Sequence, residues 1–449
     1  MLNKLIPFLV IVIIILHGFI LTKLIYFPYP EIFIYPYLTN NGLKPYQQIL
    51  DQHFPGLFFL PINFDNLGLS NEIIARYWSI GIVVLTHILI FFIMSKILKS
   101  KPKAILANLL YLIWQPFFEG WILWIDSFLP LILLPSFYAY YNKKLVISGL
   151  LLGIGIIFKQ TLLPLTFLLI LYTLWDSKSV KKTSLFLISI LIPVALMLLY
   201  FINLGILRDF WYWTIVFNLT IYASLGTKSY VSLGFVTRLV FVYITSVFAW
   251  FNKDRRLVYL LFIFLAGSLA GIFDRAGFIH FQPSLPFVIL ATTIGTYRFN
   301  KTKFFVLVIF VYLLISGWWL HIFYSGHISN KVFFFDEQTK LTALKIKQYT
   351  KADDKIFVFG APAHLYQMAE RLPAGSLFVF QFPWFLKVAE DRILEGLVKD
   401  PPKIIVYDTG YEVEGVFLKD FSPKINKYVE THYKKVDNVN TNEILQRKD

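Results

Sequence analysis

The sequence predicts a mainly α-helical, polytopic membrane protein with about eleven transmembrane helices and a C-terminal extracytoplasmic α/β domain. Three observations predict it. The 449 residues are 57% hydrophobic and only 15% charged, with a mean hydropathy of +0.63, whereas soluble domains carry roughly a quarter charged residues. The apolar residues come in runs of roughly 20, the length that crosses about 30 Å of hydrocarbon. After Leu320 the runs stop, and the chain becomes charged and mixed.

Taken in order, the first run carries Lys4 and extends to Tyr26. Its apolar core is too long for a signal peptide and has no small-residue cleavage site, so it reads as a retained first span. Gly, Pro and charged punctuation then suggests spans at 4–26, 78–98, 104–117, 124–141, 145–158, 161–175, 184–203, 234–251, 257–273, 281–297 and 303–320. With this count, alternate loops collect the cations: Lys96, Lys99, Lys101 and Lys103; Lys143 and Lys144; Lys178, Lys181 and Lys182; Lys253, Arg255 and Arg256; Arg298, Lys301 and Lys303. The intervening, longer loops hold only Lys44, Arg76, Lys159, Arg208, Lys228, Arg238 and Arg275. The positive-inside rule then puts the N-terminus in the cytoplasm of a cell-membrane protein, and the sparse loops outside. The net charge of +15 is accounted for by these loops, with no call for nucleic acid. Cys is absent, which excludes disulfides, thiolate metal sites and thiol catalysis.

The domain division expected is a transmembrane core over 1–325, with an outer loop at 28–77, and an extracytoplasmic α/β domain over 326–449. In the latter, KIFVFG and PPKIIVYD read as strands, and PAHLYQMAERL and LKVAEDRILEGLVKD as helices. NKYVETHYKKV reads as a further helix and NEILQR as an edge strand. With no Gly-rich phosphate loop and no convergent acidic cluster, this domain is expected to be accessory.

The outer loop is polar, aromatic and Pro-rich, and long ordered loops tend to be functional. Pro28 and Pro30 precede Glu31, which suits a helix start with the carboxylate in its first turn. Asn40-Asn41-Gly42 is a stop signal. Tyr46 and Asp51-Gln52-His53 follow, and then LFFLPI, which reads as a second interfacial segment. D-x-H occurs in many loops, so Asp51 and His53 also fit ordinary loop polar residues, and Glu31 also fits a solvated carboxylate.

The run E-x-F-x-Y-P-Y-L-x-x-x-G-L-x-P-Y-x-x-I-x-D-x-H-F-P-G, followed by Ala75-Arg76 opening the second span, resembles the first outer loop of GT-C membrane glycosyltransferases. More narrowly it is similar to the bacterial branch with the lipid A aminoarabinose transferase and the protein O-mannosyltransferases. It departs from that branch in having Glu31 where Asp is usual, and Pro55-Gly56 where two prolines are usual. The resemblance implies an inverting transferase that moves a sugar from a polyprenyl-phosphate carrier to a glycan, lipid or protein acceptor. It implies Glu31 and Asp51 as catalytic residues. Tyr46, His53, Asp126, Lys159, Arg275 and His280 are then substrate-binding candidates, the cations serving the phosphate. Lys159 equally fits a residue reaching for headgroups, Arg275 a partner of Asp274, and Arg76 an anchor of the second helix. Asp51, His53 and His280 are candidate ligands for a divalent metal, Zn, Mn or Mg. Competing readings are a secondary transporter, which predicts internal repeats not evident here, and a non-catalytic membrane scaffold with an outer binding domain.

Overall fold

A computed structural model describes residues 2–225, 231–272, 277–296 and 303–448. The chain is mainly helical, with strands in its C-terminal part. Among the described residues, five helices are long and apolar enough to cross a membrane: Leu5–Lys23, Glu72–Ile97, Val180–Asn203, Leu233–Phe251 and Ile309–His327. The other six expected spans are also helical, but shorter: Lys101–Phe117, Ile125–Tyr141, Leu145–Phe158, Leu163–Ser177, Arg255–Ala270 and Leu285–Thr296. The chain separates into two compact units, and the division is not the linear one expected. One unit takes 1–27, 75–197 and 228–331; the other takes 28–74, 198–227 and 332–449.

The first unit is a helical bundle. Long apolar side chains such as Phe8, Ile15, Leu196 and Trp318 stay exposed, as on a lipid-facing surface. Small residues set its close packing. Gly149 and Gly153 lie on one face of Leu145–Phe158, where an added Cβ would meet Phe186 O at 2.9 Å and Ile190 O at 2.3 Å. This small-xxx-small spacing lets two backbones approach where no hydrophobic effect drives them together. A polar chain ties three further helices. His17 Nδ1 lies 2.8 Å from His87 Nε2, His17 Nε2 3.0 Å from Gln115 Oε1, and His87 Nδ1 2.8 Å from Asn108 Oδ1. All four side chains are buried, so each needs its partner.

The second unit is an α/β body completed by the long loop. Its sheet has β1 (Ile356–Phe359), β2 (Ile404–Asp408), β3 (Tyr433–Val439) and β4 (Asn442–Arg447) in the order β1-β2-β4-β3. β1 and β2 are parallel, in register Ile356↔Ile404 to Phe359↔Tyr407. Both are apolar and buried on both faces, as a covered parallel pair requires. The connection between them carries the helix Pro383–Lys399, which buries Trp384, Phe385, Ala389 and Ile393. The helix Glu337–Tyr349 is capped by Asp336, whose Oδ1 accepts the Thr339 N–H at 2.8 Å.

Two expectations in this body are corrected. The last helix runs Pro423–His432 and stops; Tyr433–Val439 is a strand. NEILQR is not an edge, because β4 pairs with β2 on one side and β3 on the other. The LFFLPI segment is a series of turns, with Phe58 and Phe59 fully buried, and forms no helix. The loop joins the sheet's own unit through a short parallel pair, Ile49–Leu50 beside Phe378–Val379. A Lys340–Glu72 ion pair at 2.7 Å and a Gln367 side-chain bond to Ser70 O at 3.0 Å add to it.

Candidate active site

Glu31 opens the helix Glu31–Asn40, directly after Pro30. Proline fixes the φ a first turn needs, and the exposed N–H groups there favour a carboxylate. The helix ends as expected, with Gly42 at φ +90°. Ile32, Phe33, Ile34, Tyr35 and Leu38 of this helix are buried, so it is packed into its unit on most sides.

The Glu31 carboxyl lines a cavity of about 420 Å³ within the second unit. Its Oε2 is buried and has no hydrogen-bond partner. Burial pushes the carboxyl up to about 8, the charge of Asp51 adds to the rise, and its own backbone N–H opposes it. A carboxyl so placed holds its proton near neutrality, and is a strong base once it has lost it.

The cavity walls come from residues far apart in sequence. Gly360, Ala361 and Pro362 follow β1, Asp408 ends β2, and Tyr411 comes shortly after it. Rings of Tyr29, Phe334, Phe378, Phe380 and Phe382 make much of the surface. Gln381 holds two of these segments together: its Nε2 donates to Val358 O at 2.6 Å, and its Oε1 accepts the Gly360 N–H. Gly360 itself sits at φ +79°, and a Cβ there would meet Asp408 O and Leu418 Cδ2 at 2.9 Å. The C-terminal body, expected to be accessory, builds the crevice beside Glu31 at the carboxyl ends of its two parallel strands. That is where open α/β sheets bind ligands. Gly360 and Asp408 could have been singled out as the residues directly after two predicted strands.

Asp51 and His53 form a closed turn. Asp51 is 1% exposed. It accepts the Tyr35 hydroxyl at 2.8 Å and the His53 N–H at 2.8 Å, with His53 Nδ1 at 2.9 Å. Tyr46 is fully buried, lies at φ +59°, and donates its hydroxyl to His53 O at 2.9 Å. None of Asp51, His53 and Tyr46 lines the cavity. Asp51, expected to be catalytic, and His53 and Tyr46, expected to contact substrate, are brought together in this turn and not at the cavity.

A second cluster belongs to the helical unit. Asp126, in the first turn of Ile125–Tyr141, takes Lys159 Nζ at 2.6 and 2.5 Å and His280 Nδ1 at 3.0 Å. Lys159 Nζ is also 3.2 Å from His280 Nδ1. Lys159 sits at the break after Leu145–Phe158, and His280 in a 3₁₀ turn at Phe278–Phe281. The sequence reading named all three without linking them. Glu119 lies nearby in the fold of this unit, accepting the Ile279 N–H at 2.9 Å, and burial raises its carboxyl above the usual range. Arg238 stacks between the Phe117 and Phe278 rings, 4.4 and 4.8 Å from their centroids. Arg275 and Asp274 lie outside the described residues.

The metal expectation does not fit these side chains. Among the described residues no three His, Asp or Glu groups converge as ligands. His280 is engaged with Asp126, and Asp51 with its own loop. No protein-family model matches the chain, and no curated protein matches it.

Proposed function

We propose that the chain is an inverting membrane glycosyltransferase using a polyprenyl-phosphate sugar, with Glu31 as its general base. The observation that carries this reading is part-buried Glu31 at an aromatic cavity, with its Oε2 buried and without a hydrogen-bond partner. Burying a carboxyl without partners costs stability, and such costs concentrate at functional sites. The resemblance of the 31–56 run to the first GT-C loop supports the same residue.

In this reaction an acceptor hydroxyl attacks the anomeric carbon and the new C–O bond forms. Its proton passes to the Glu31 carboxylate. The bond from the anomeric carbon to the phosphate oxygen breaks, and its electron pair leaves with the lipid phosphate. The transition state is oxocarbenium-like, as in glycoside hydrolysis. The leaving phosphate needs cations rather than an acid. The helical unit carries a cationic cluster of its own, Lys159 and His280 around Asp126. Asp126 offsets the Lys159 charge, so the cluster gains a net positive charge only when His280 is protonated. Asp51, through Tyr35 and His53, is a positioning residue for the loop. The reading takes all eleven helices as spans, with the 28–77 loop and the α/β body outside the cytoplasm, following the loop charges.

The test is transfer by purified protein from a panel of radiolabelled polyprenyl-phosphate sugars, with product sought in lipid, glycan and protein fractions. Glu31→Gln should abolish transfer while leaving expression and folding intact. A silent substitution would refute the assignment and favour a transporter or scaffold.

A further inference from the structure

We infer that the cavity beside Glu31 seats an uncharged saccharide ring, and that the C-terminal α/β body supplies this acceptor subsite. The inference deepens the transferase reading and rests on it for the word acceptor. The binding claim itself stands on the cavity's chemistry.

The sign of the charge comes first. The described residues lining the cavity include two carboxylates, Glu31 and Asp408, and no Lys, Arg or His. A phosphate or carboxylate ligand would meet the Asp408 carboxylate with no counter-ion among these residues, which is unfavourable. The donor's phosphate is therefore not what this cavity holds. The surfaces come second. Tyr29, Phe378, Phe380, Phe382 and Tyr411 present aromatic rings. Such faces suit the C–H side of a sugar ring, while its hydroxyls project sideways. The hydrogen-bond inventory comes third. Sugar hydroxyls donate, and the cavity offers the Asp408 carboxylate as an acceptor, its Oδ1 oriented by the Gly410 N–H at 3.0 Å. An aliphatic lipid chain would cover the rings but bring the Asp408 carboxylate no donor, which a sugar hydroxyl supplies. The volume of about 420 Å³ falls in the usual small-molecule range.

The test uses the full chain in detergent or nanodiscs. Saturation-transfer NMR is recorded with neutral mono- and disaccharides, with glucuronate, with a sugar phosphate and with a long-chain alcohol. Neutral saccharides should bind, and the anionic ones should not. Asp408→Asn, nearly isosteric, should weaken saccharide binding about fivefold or more. Tyr411→Leu should weaken it as well, with thermal unfolding recorded to exclude misfolding. Equal or better binding of anionic sugars overturns the inference. So does binding of the alcohol alone, binding of nothing, or indifference to Asp408→Asn. Two split outcomes separate the claims. If a donor sugar is transferred but Asp408→Asn leaves the acceptor KM unchanged, the saccharide subsite falls and the transferase reading stands. If saccharides bind through Asp408 but no donor is turned over, the transferase reading falls and the subsite stands.

Discussion

Glu31 and Asp126 both place a carboxyl in the first turn of a helix, yet their surroundings are opposite. Asp126 is met by an ammonium and an imidazole within 3.0 Å. Glu31 has an oxygen with no partner and a cavity lined by aromatic rings. One carboxylate is held as an anion by its neighbours, and so orders them. The other is held as an acid by the absence of neighbours, and so is free to take part in proton transfer. The carboxyl group and the helix position are shared; what separates the two is the set of donors within hydrogen-bond reach.

The comparison breaks first at Glu31. Glu31→Gln is expected to lower transfer by roughly 10²–10⁴-fold, the usual contribution of a general base. The same substitution should stabilise the protein as pH rises. The folded carboxyl titrates at about 8 against 4.5 when unperturbed. Its contribution is therefore full below pH 4.5 and is lost as pH rises through about 8. Gln copies the neutral form and removes that loss, worth on the order of a few kcal/mol. Denaturant unfolding of wild type and variant between pH 4 and 9 measures it, and identical curves would refute the assigned environment. Transfer by the wild type should in turn rise with pH to an inflection near 8, absent from the variant's residual rate.

The Asp126 side is sharpened by a double-mutant cycle. Asp126→Asn or Lys159→Met alone should each cost about 3–5 kcal/mol, because either leaves a buried partner without its opposite. The pair together should cost less than the sum. Additive losses would mean the two side chains are uncoupled. A smaller effect is expected at Gly360→Ala, where positive φ and contacts near 2.9 Å oppose a Cβ. A loss of about 1–3 kcal/mol, with weaker saccharide binding, would follow. The smallest is Tyr35→Phe, which removes one hydrogen bond to Asp51 and should cost about 1 kcal/mol.

Much of the helical framework was legible because each apolar run is bounded by charge, Gly or Pro, and those boundaries are local. Glu31 was legible for the same reason: Pro30 before it and Asn41-Gly42 after it fix a short helix. Its environment was not. The walls beside it come from residues beyond 330, and no local pattern says that residue 31 meets residue 408. Strand β3 was hidden because Tyr433, Val436 and Val439 recur every third residue, which resembles a helix face. β4 looked like an edge because polar residues flank Ile444 and Leu445, yet pairing on both sides buries these two. His17, His87, Asn108 and Gln115 were visible as polar residues inside apolar runs. Such residues warrant a search for partners, but only the packed helices show that they find each other.

The second unit is drawn from three stretches, 28–74, 198–227 and 332–449, separated by long helical segments. Synthesis delivers Glu31 early, and Tyr411 almost last. Until the strands after residue 355 emerge and close around it, that side chain faces water and keeps the acidity of any surface glutamate. In the proposed enzyme, reactivity is thus a property of the finished chain only. A ribosome still threading helices into the bilayer, among lipid-linked sugars, would carry a harmless precursor until the stretch that walls the cavity has folded.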